Sequence, residues 1–260
     1  MKRRYSMSQL DMYENIPHGD MPGDKICIGE DHVKKAKLIL PELKKEVEKL
    51  NAQGQKKIVV CVCGGSGVGK SEIASLLSFM MTEEGKKSYV MSGDNYPHRI
   101  PCENDAMRQK TYEEGGEEAL KAYLGSQTEI DFEKVNGILK SFKNGDEKIS
   151  LKRMGRTKDE LWYDDVDFSD TEILFIEWTH GNSDLLSEVD IPVLLNSTPE
   201  ETLAHRKARN RDGAVDSPFV MKVLHLEQEM LKSQAHKAKI IVSKGGELMS
   251  YDEYKKVMDM

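Results

Sequence analysis

Short apolar runs alternate with segments of helical periodicity along most of the chain. Continuous apolar runs of four to six residues are typical of strands buried on both faces of a parallel sheet. Strands are predicted on this basis at 57–63, 88–91, 171–176, 191–195 and 239–242. Helical spacing follows several of these runs, at 71–81, at 199–209 and from Ser217 onward. This alternation predicts an α/β fold in which a parallel sheet is flanked by helices.

Two regions depart from the strand–helix alternation. Residues 1–54 combine a polar, irregular arm with an amphipathic helix in which Pro41 is expected to cause a break or kink. Residues 55–260 are predicted to form the main domain. Within that domain, residues 100–168 are charged and mostly helical and end in a hairpin-like segment, which predicts a small insertion on one side of the sheet.

A glycine-rich turn joins the first predicted strand to the helix after it. It matches the pattern G-x-x-x-x-G-K-[ST] in full, as Gly64-Gly65-Ser66-Gly67-Val68-Gly69-Lys70-Ser71. In this pattern the backbone N–H groups surround phosphate oxygens, the lysine reaches the β and γ phosphates, and the hydroxyl binds Mg²⁺. A glycine turn with no ligand is the alternative, but the flanking strand and helix favour the phosphate-binding loop of a P-loop NTPase fold.

Carboxylates follow the second and third predicted strands, at Asp94 and Glu177. Ligands of open α/β sheets bind at the carboxyl ends of the strands, so both side chains are expected near the phosphates. Asp94 is predicted to accept the proton of an attacking hydroxyl and, with Ser71 and Glu177, to hold magnesium. The alternatives are a turn-capping aspartate and a strand-end glutamate paired with a lysine.

The segments GGSGVGKS and GDNYPHR together resemble the phosphoribulokinase/uridine kinase family of small-molecule kinases. The resemblance implies that Asp94 is the catalytic base. It also implies that Tyr96, His98, Arg99 and Glu177 face the substrate. Family members commonly end the third strand in Glu-Gly, whereas a tryptophan follows the glutamate here, so the adjoining loop is expected to differ.

Basic residues in two further segments are candidates for anion contacts. Arg206 and Arg209 share a helix face, and the resemblance implies a lid at 205–218 in which they stabilise the transferring phosphoryl group. A solvated basic helix end is the alternative. A second basic cluster precedes the third long strand and contains Arg156, a candidate substrate ligand; otherwise it balances acidic neighbours. That cluster consists of Lys152, Arg153, Arg156 and Lys158.

Composition narrows the classes of partner. The net charge of −7 over 260 residues lacks the basic excess of a general nucleic-acid binder. No apolar run approaches the ~20 residues of a membrane span, and the four cysteines lack zinc-site spacing, which together favour a cytoplasmic protein. No nucleic-acid or membrane partner is expected, and a homodimer is possible.

These observations predict an enzyme that uses ATP and Mg²⁺ to phosphorylate a hydroxyl of a small metabolite. A sugar, sugar phosphate, nucleoside or related polyol is the expected acceptor. Two alternatives stay open at this point: an adenylylsulfate kinase-like activity, and a P-loop ATPase or switch that couples hydrolysis to a partner protein.

Overall fold

The computed structural model describes residues 10–13, 15–209 and 215–260. In chain order its strands are β1 Ile58–Gly64, β2 Ser88–Ser92, β3 Lys148–Met154, β4 Leu161–Asp167, β5 Ile173–Glu177, β6 Ile191–Leu195, β7 Ile240–Val242 and β8 Leu248–Met249. Its helices are α1 Glu30–Ala52, α2 Lys70–Glu83, α3 Pro101–Tyr123, α4 Phe132–Asn144, α5 Pro199–Arg209, α6 Pro218–Gln234 and α7 Tyr251–Val257.

Six of the strands form one sheet in the order β2-β5-β1-β6-β7-β8. All neighbours pair in parallel except β7 and β8, which are antiparallel. The predicted α/β fold with a mostly parallel sheet is confirmed. β8 is too short to leave a hydrophobic pattern, and no prediction included it.

The central strand β1 lies between two cores, which explains why its sequence is apolar throughout. Every residue of β1 is buried, and successive side chains enter the cores on opposite faces of the sheet. Val60 and Val62 pack with α1 and α2, whereas Cys61 and Cys63 pack with α4 and α7. Both cysteines are free thiols.

The N-terminal helix α1 belongs to the same core as the sheet. Ile39, Leu43 and Val47 are buried in one apolar cluster with residues of α2 and β1. The helix continues through Pro41, so the predicted break does not occur.

The insertion between β2 and β5 contains α3, α4 and an antiparallel hairpin of β3 and β4. The face of α4 that carries Val135, Leu139 and Phe142 is buried against the sheet. The inner strand β3 is mostly buried, whereas β4 is largely exposed, so the hairpin presents one strand outward.

Candidate active site

The glycine-rich turn lies between the end of β1 and the start of α2, as the motif requires. Gly67 has φ of +78°, and a Cβ atom built there would lie 2.8 Å from Cγ of Arg206. Among the described residues, the N–H groups of Ser66 and Gly67 donate to no acceptor. Free backbone donors at a helix N-terminus are the arrangement that binds phosphate.

Lys70 and Ser71 open α2 directly below this turn. Lys70 Nζ donates to the carbonyl oxygen of Gly65 at 3.2 Å. The Ser71 hydroxyl donates to Oε2 of Glu177 at 3.2 Å, and the Ser92 hydroxyl donates to Oε1 at 2.5 Å. The parallel pairing of β5 with β1 and β2 thus brings Glu177 beside the loop.

The carboxyl group of Glu177 is fully enclosed. Burial and, after it, the nearby charge of Asp94 raise its pKa to about 8, although Lys70 and the two hydroxyls oppose the shift. Burial therefore disfavours the ionised form of this group before any cation binds. A magnesium ion bound here would favour the ionised form.

Asp94 lies in a short 3₁₀ turn, Gly93–Asn95, immediately after β2. Its side chain is exposed and lines a large cavity that also reaches Ser66 of the glycine-rich turn. The part of the chain that the structure describes offers this carboxylate no hydrogen-bond donor and no ion-pair partner. A carboxylate in the same cavity as a phosphate-binding loop is a candidate general base.

Trp178 takes the position after Glu177 and is buried against the Asp94 turn. A Cβ atom at Gly93 would lie 2.0 Å from Cγ of Trp178, so only glycine leaves room for the indole. The centroid of the indole lies 5.4 Å from that of the Phe132 ring and 5.7 Å from that of the His180 imidazole. The indole and the imidazole meet edge to face. The tryptophan that departs from the Glu-Gly pattern is thus accommodated by Gly93.

Arg206 on α5 lies over the glycine-rich turn. Its Nη1 donates to the carbonyl oxygen of Pro199 at 2.8 Å and to the Thr202 hydroxyl at 2.5 Å. Its Nε is buried and lacks a partner among the described residues. Such an unpaired donor beside phosphate-binding amides fits a bound phosphoryl group. The side chain of Arg209 and residues 210–214 of the predicted lid lie outside the described residues.

The side chains near this turn include oxygen ligands of the kind that magnesium binds. Among the described residues, no group of three or more His, Cys, Asp or Glu side chains is arranged to hold a metal by itself. Ser71, Glu177 and Asp94 provide one hydroxyl and two carboxylates near the phosphate site. Magnesium usually takes few protein ligands and completes its shell with phosphate oxygens and water, so this set fits it.

The cavity has a volume of about 940 Å³ and extends from the glycine-rich turn to α3 and α6. Its described lining includes six acidic residues but only three arginines. The acidic residues are Asp24, Asp94, Asp105, Glu129, Glu160 and Glu227, and the arginines are Arg108, Arg156 and Arg206. Away from the phosphate loop the described wall is therefore predominantly acidic.

Arg108 on α3 lies at the centre of the cavity wall away from the phosphate loop, which we call the far wall. Its Nε pairs with Oε1 of Glu129 at 2.6 Å and its Nη2 with Oε1 of Glu227 on α6 at 3.4 Å. Burial alone would raise the pKa of Glu129, but Arg108 and further partners, including the Gly125 N–H at 2.6 Å, hold it below its usual value. Burial raises the pKa of Glu227.

His180 lies next to this ion-pair network and lines the same cavity. Burial lowers the pKa of its imidazole to about 4, although the carboxylate of Glu129 opposes the shift. The ring is therefore neutral at pH 7. A neutral imidazole has one N–H donor and one acceptor nitrogen, which suits hydroxyl groups.

Three residues predicted to face the substrate lie elsewhere. Tyr96 is fully buried in the core, where its hydroxyl accepts from the N–H of Lys152 at 3.3 Å. His98 is exposed, with Nε2 3.0 Å from the Gln127 carbonyl oxygen, and Arg99 Nη1 donates to the Tyr123 hydroxyl at 3.2 Å. These side chains are absent from the described lining because the segment after Pro97 pairs with the turn before α4.

Of the basic cluster at 152–158, only one member is part of the described cavity lining. Arg156 lines the cavity. Lys152 Nζ donates to the Pro97 carbonyl oxygen at 2.8 Å, Arg153 pairs with Asp20 at 2.8 Å, and Lys158 pairs with Glu103 at 2.6 Å. Lys152, Arg153 and Lys158 are thus engaged within the protein and do not line the described cavity, which weakens the idea of a basic pocket for an anionic substrate.

Arg108, Glu129, His180 and Glu227 were not predicted as site residues. Charged positions within helices look like solvated faces when only spacing is considered. One signal was available: Glu227 stands between Val223 and Leu231 on the buried stripe of α6, at helical spacing. An acid on an apolar stripe indicates a buried polar contact or a site.

In the described part of the chain, no helix combines the length and the apolarity needed to cross a bilayer. The model for the family described as "Phosphoribulokinase / Uridine kinase family" matches residues 59–214, more than half of the chain. The matched region includes the glycine-rich turn, Asp94, Glu177 and Arg206.

Two curated proteins illustrate the similarity. The "Bifunctional alpha-galactosidase/sucrose kinase AgaSK" of Mediterraneibacter gnavus is 44% identical over 196 residues, which is 75% of this chain and 21% of that protein. An adenylyl-sulfate kinase of Aeromonas salmonicida is 39% identical over 70 residues, 26% of this chain and 36% of that protein. The chain thus spans only about a fifth to a third of these relatives' length.

Two solved structures share the fold. A phosphoribulokinase from Rhodobacter spheroides superposes with a TM-score of 0.54 and 15% identity, over 73% of this chain and 70% of that one. A D-glycerate 3-kinase from Cryptococcus neoformans var. grubii gives 0.53 and 14%, over 86% and 99%. At these identities the similarity concerns the fold alone.

Proposed function

Because the chain belongs to the phosphoribulokinase/uridine kinase family, we propose that it transfers the γ-phosphoryl group of ATP to a hydroxyl of an unphosphorylated carbohydrate. The observation that carries this proposal is the single cavity that joins Ser66 of the phosphate loop, the free carboxylate of Asp94 and the polar wall around Arg108. This arrangement supports a donor site and an acceptor site on either side of one carboxylate.

The donor side is assigned to the backbone of the glycine-rich turn, Lys70 and Arg206. The amides and Lys70 bind the phosphates, and the unpaired Nε of Arg206 donates to the transferring group as its charge spreads. Magnesium held by Ser71 and the nearby carboxylates neutralises phosphate charge when bound. Arg209, on the same helix α5 as Arg206, is proposed to stabilise the transferring phosphoryl group as well.

Asp94 is assigned as the general base. Its carboxylate accepts the proton as the acceptor oxygen attacks phosphorus, so the hydroxyl becomes an effective nucleophile without free hydroxide. In phosphoryl transfer, positioning contributes more than covalent chemistry. The buried Trp178 behind the turn limits the freedom of Asp94.

The acceptor is assigned from the charge of the far wall. A sugar phosphate or adenylyl sulfate would bring its own negative charge towards the carboxylates of Glu129 and Glu227, which is unfavourable in a buried site. Neutral hydroxyl groups can instead form hydrogen bonds with the carboxylates, the guanidinium and the neutral imidazole of this wall. The similarity to a protein named in part sucrose kinase, over 75% of this chain, supports the same class.

The experiment is a panel of acceptors with ATP and Mg²⁺, in which ADP formation and the phosphorylated product are both measured. Sucrose, other neutral mono- and disaccharides and polyols, uridine, ribulose 5-phosphate and adenylyl sulfate form the panel. We expect acceptor-dependent ADP release and a phosphorylated neutral sugar. Turnover confined to an anionic acceptor would contradict the carbohydrate assignment, and ATP hydrolysis independent of every acceptor would favour an ATPase.

A further inference from the structure

The segment before α1 contributes to the active site. Met21, Pro22, Gly23 and Asp24 line the cavity that Asp94 also lines. The residues that precede α1 lie outside the region that the family model matches, so the family similarity assigns them no role. We call residues 19–24 the strap.

Asp20 is the strap residue that is bonded to the Asp94 turn and to the hairpin. Its Oδ1 accepts from the backbone N–H of Ser92 at 2.7 Å and from Nδ2 of Asn95 at 3.0 Å. Its Oδ2 accepts from the Tyr89 hydroxyl at 3.2 Å and pairs with Nη1 of Arg153 at 2.8 Å. Four donors thus surround one carboxylate.

These donors lie on β2, on the Asp94 turn and on the hairpin strand β3. Ser92 and Asn95 flank Asp94 directly, whereas Arg153 is on the hairpin strand β3. Asn95 extends the connection, because its Oδ1 accepts from the N–H of Met154 at 3.0 Å. The strap carboxylate therefore ties the turn that carries the base to the hairpin on the acceptor side.

Burying a carboxylate is unfavourable, and the exposed fraction of the Asp20 side chain is only 6%. Burial raises its pKa to about 6, while Arg153, the Ser92 N–H and the Tyr89 hydroxyl oppose the shift. A surface anchor for an N-terminal segment would not require such enclosure. The Arg153 side chain is almost as buried, with 8% exposed.

We propose that Asp20 is a positioning residue for phosphoryl transfer, which holds the Asp94 turn in register with the hairpin and with the acceptor cavity. Asp20 acts through Asp94 and does not contact the reacting atoms. The inference rests on the proposed role of Asp94 as the base. It predicts that disturbing Asp20 lowers turnover with little change in nucleotide affinity, since small displacements of a reacting group are costly.

The test compares Asp20→Asn with Asp190→Asn. Asp190 is a matched control outside the described cavity lining: its carboxylate accepts from the N–H of Val59 at 2.8 Å and pairs with Lys143 at 2.9 Å. We expect Asp20→Asn to lower kcat at least tenfold, with the Kd for ATP changed less than twofold. Asp190→Asn is expected to lower the melting temperature but to keep kcat. Equal kcat values for Asp20→Asn and wild type would overturn the proposal.

Amide hydrogen exchange separates this inference from the proposed reaction. We expect the Ser92 amide to exchange faster in Asp20→Asn than in wild type, a readout that needs no turnover. If no acceptor is phosphorylated but Ser92 loses protection, the proposed function fails and the tie stands; unchanged protection refutes the tie. Tyr89→Phe removes one donor only and serves if Asp20→Asn does not fold; a kcat and Ser92 protection equal to wild type would then count against the proposal.

Discussion

The phosphate side and the acceptor side of the cavity are built in different ways. The phosphate side is built mainly from one continuous segment, 64–71, with its backbone N–H groups, and only Arg206 is added from α5. The acceptor side is assembled from side chains of α3, the turn before α4, the loop after β5 and α6. Function on the first side therefore depends on backbone conformation, and on the second it depends on buried ion pairs.

This difference determines how each side responds to substitution. A backbone site tolerates changes of exposed side chains but not of a glycine whose Cβ would meet a neighbour. A side-chain network tolerates small changes of shape, but removal of one charge leaves its partner buried without compensation. Asp94 lies between the two sides and belongs to neither.

The largest effect is expected at that junction. Asp94→Asn keeps the volume and the exposure of the side chain but removes the proton acceptor. We expect kcat to fall by about 10³-fold, within the usual range for general-base removal, while ATP affinity changes little because Asp94 provides none of the loop amides. Steady-state kinetics and nucleotide titration measure the two quantities.

Asp146→Asn is the control for Asp94→Asn, since Asp146 is an exposed residue after α4 and outside the described cavity lining. Its kinetics should equal those of wild type. Wild-type turnover of Asp94→Asn would remove the assignment of the base.

On the phosphate side, Gly67→Ala is expected to disrupt nucleotide binding. The new methyl group would lie 2.8 Å from Arg206 Cγ at a φ of +78°, so the loop or Arg206 must shift. Loss of one amide contact to a charged phosphate, worth about 2 kcal/mol, corresponds to a Kd for ATP raised about 30-fold. Titration with a non-hydrolysable nucleotide measures it.

Gly85→Ala is the matched control for Gly67→Ala. Gly85 has a similar φ of +85° but nothing within 4 Å of its Cβ position. Both substitutions put a side chain at a left-handed φ, but Gly85 follows the C-terminal end of α2 and its Cβ would meet no neighbour. We expect Gly85→Ala to keep the wild-type Kd for ATP, and an equal loss of ATP affinity in both variants would contradict the role given to the contact with Arg206.

The contrast between a continuous loop and a wall of distant side chains also explains which parts of the site could be predicted from the sequence. The loop at 64–71 and the positions of Asp94 and Glu177 follow from one motif and from strand ends, and the predicted family is confirmed. The resemblance implied that Tyr96, His98 and Arg99 face the substrate, but none of the three side chains is part of the described cavity lining.

The acceptor wall left little trace in the sequence because its members are far apart along the chain. Arg108 and Glu227 are separated by 119 residues and meet only when α3 and α6 pack together. Each alone is an ordinary charged residue of a helix. Only their burial, which depends on the tertiary fold, distinguishes them from solvated neighbours.

The smallest effect is expected on the acceptor side, with Glu227→Gln. The amide keeps the shape of the buried side chain but changes a charged hydrogen-bond acceptor into a neutral one. The difference between the two kinds of hydrogen bond is about 1.4 kcal/mol, which predicts a KM for the acceptor raised about tenfold and an unchanged Kd for ATP. Glu229→Gln is the control, since Glu229 is on the same helix but pairs with Lys121 at the surface, where an ion pair contributes little. If Glu227→Gln weakened ATP binding and left the acceptor KM unchanged, the wall around Arg108 would belong to the nucleotide site, and the division into two sides would have to be redrawn.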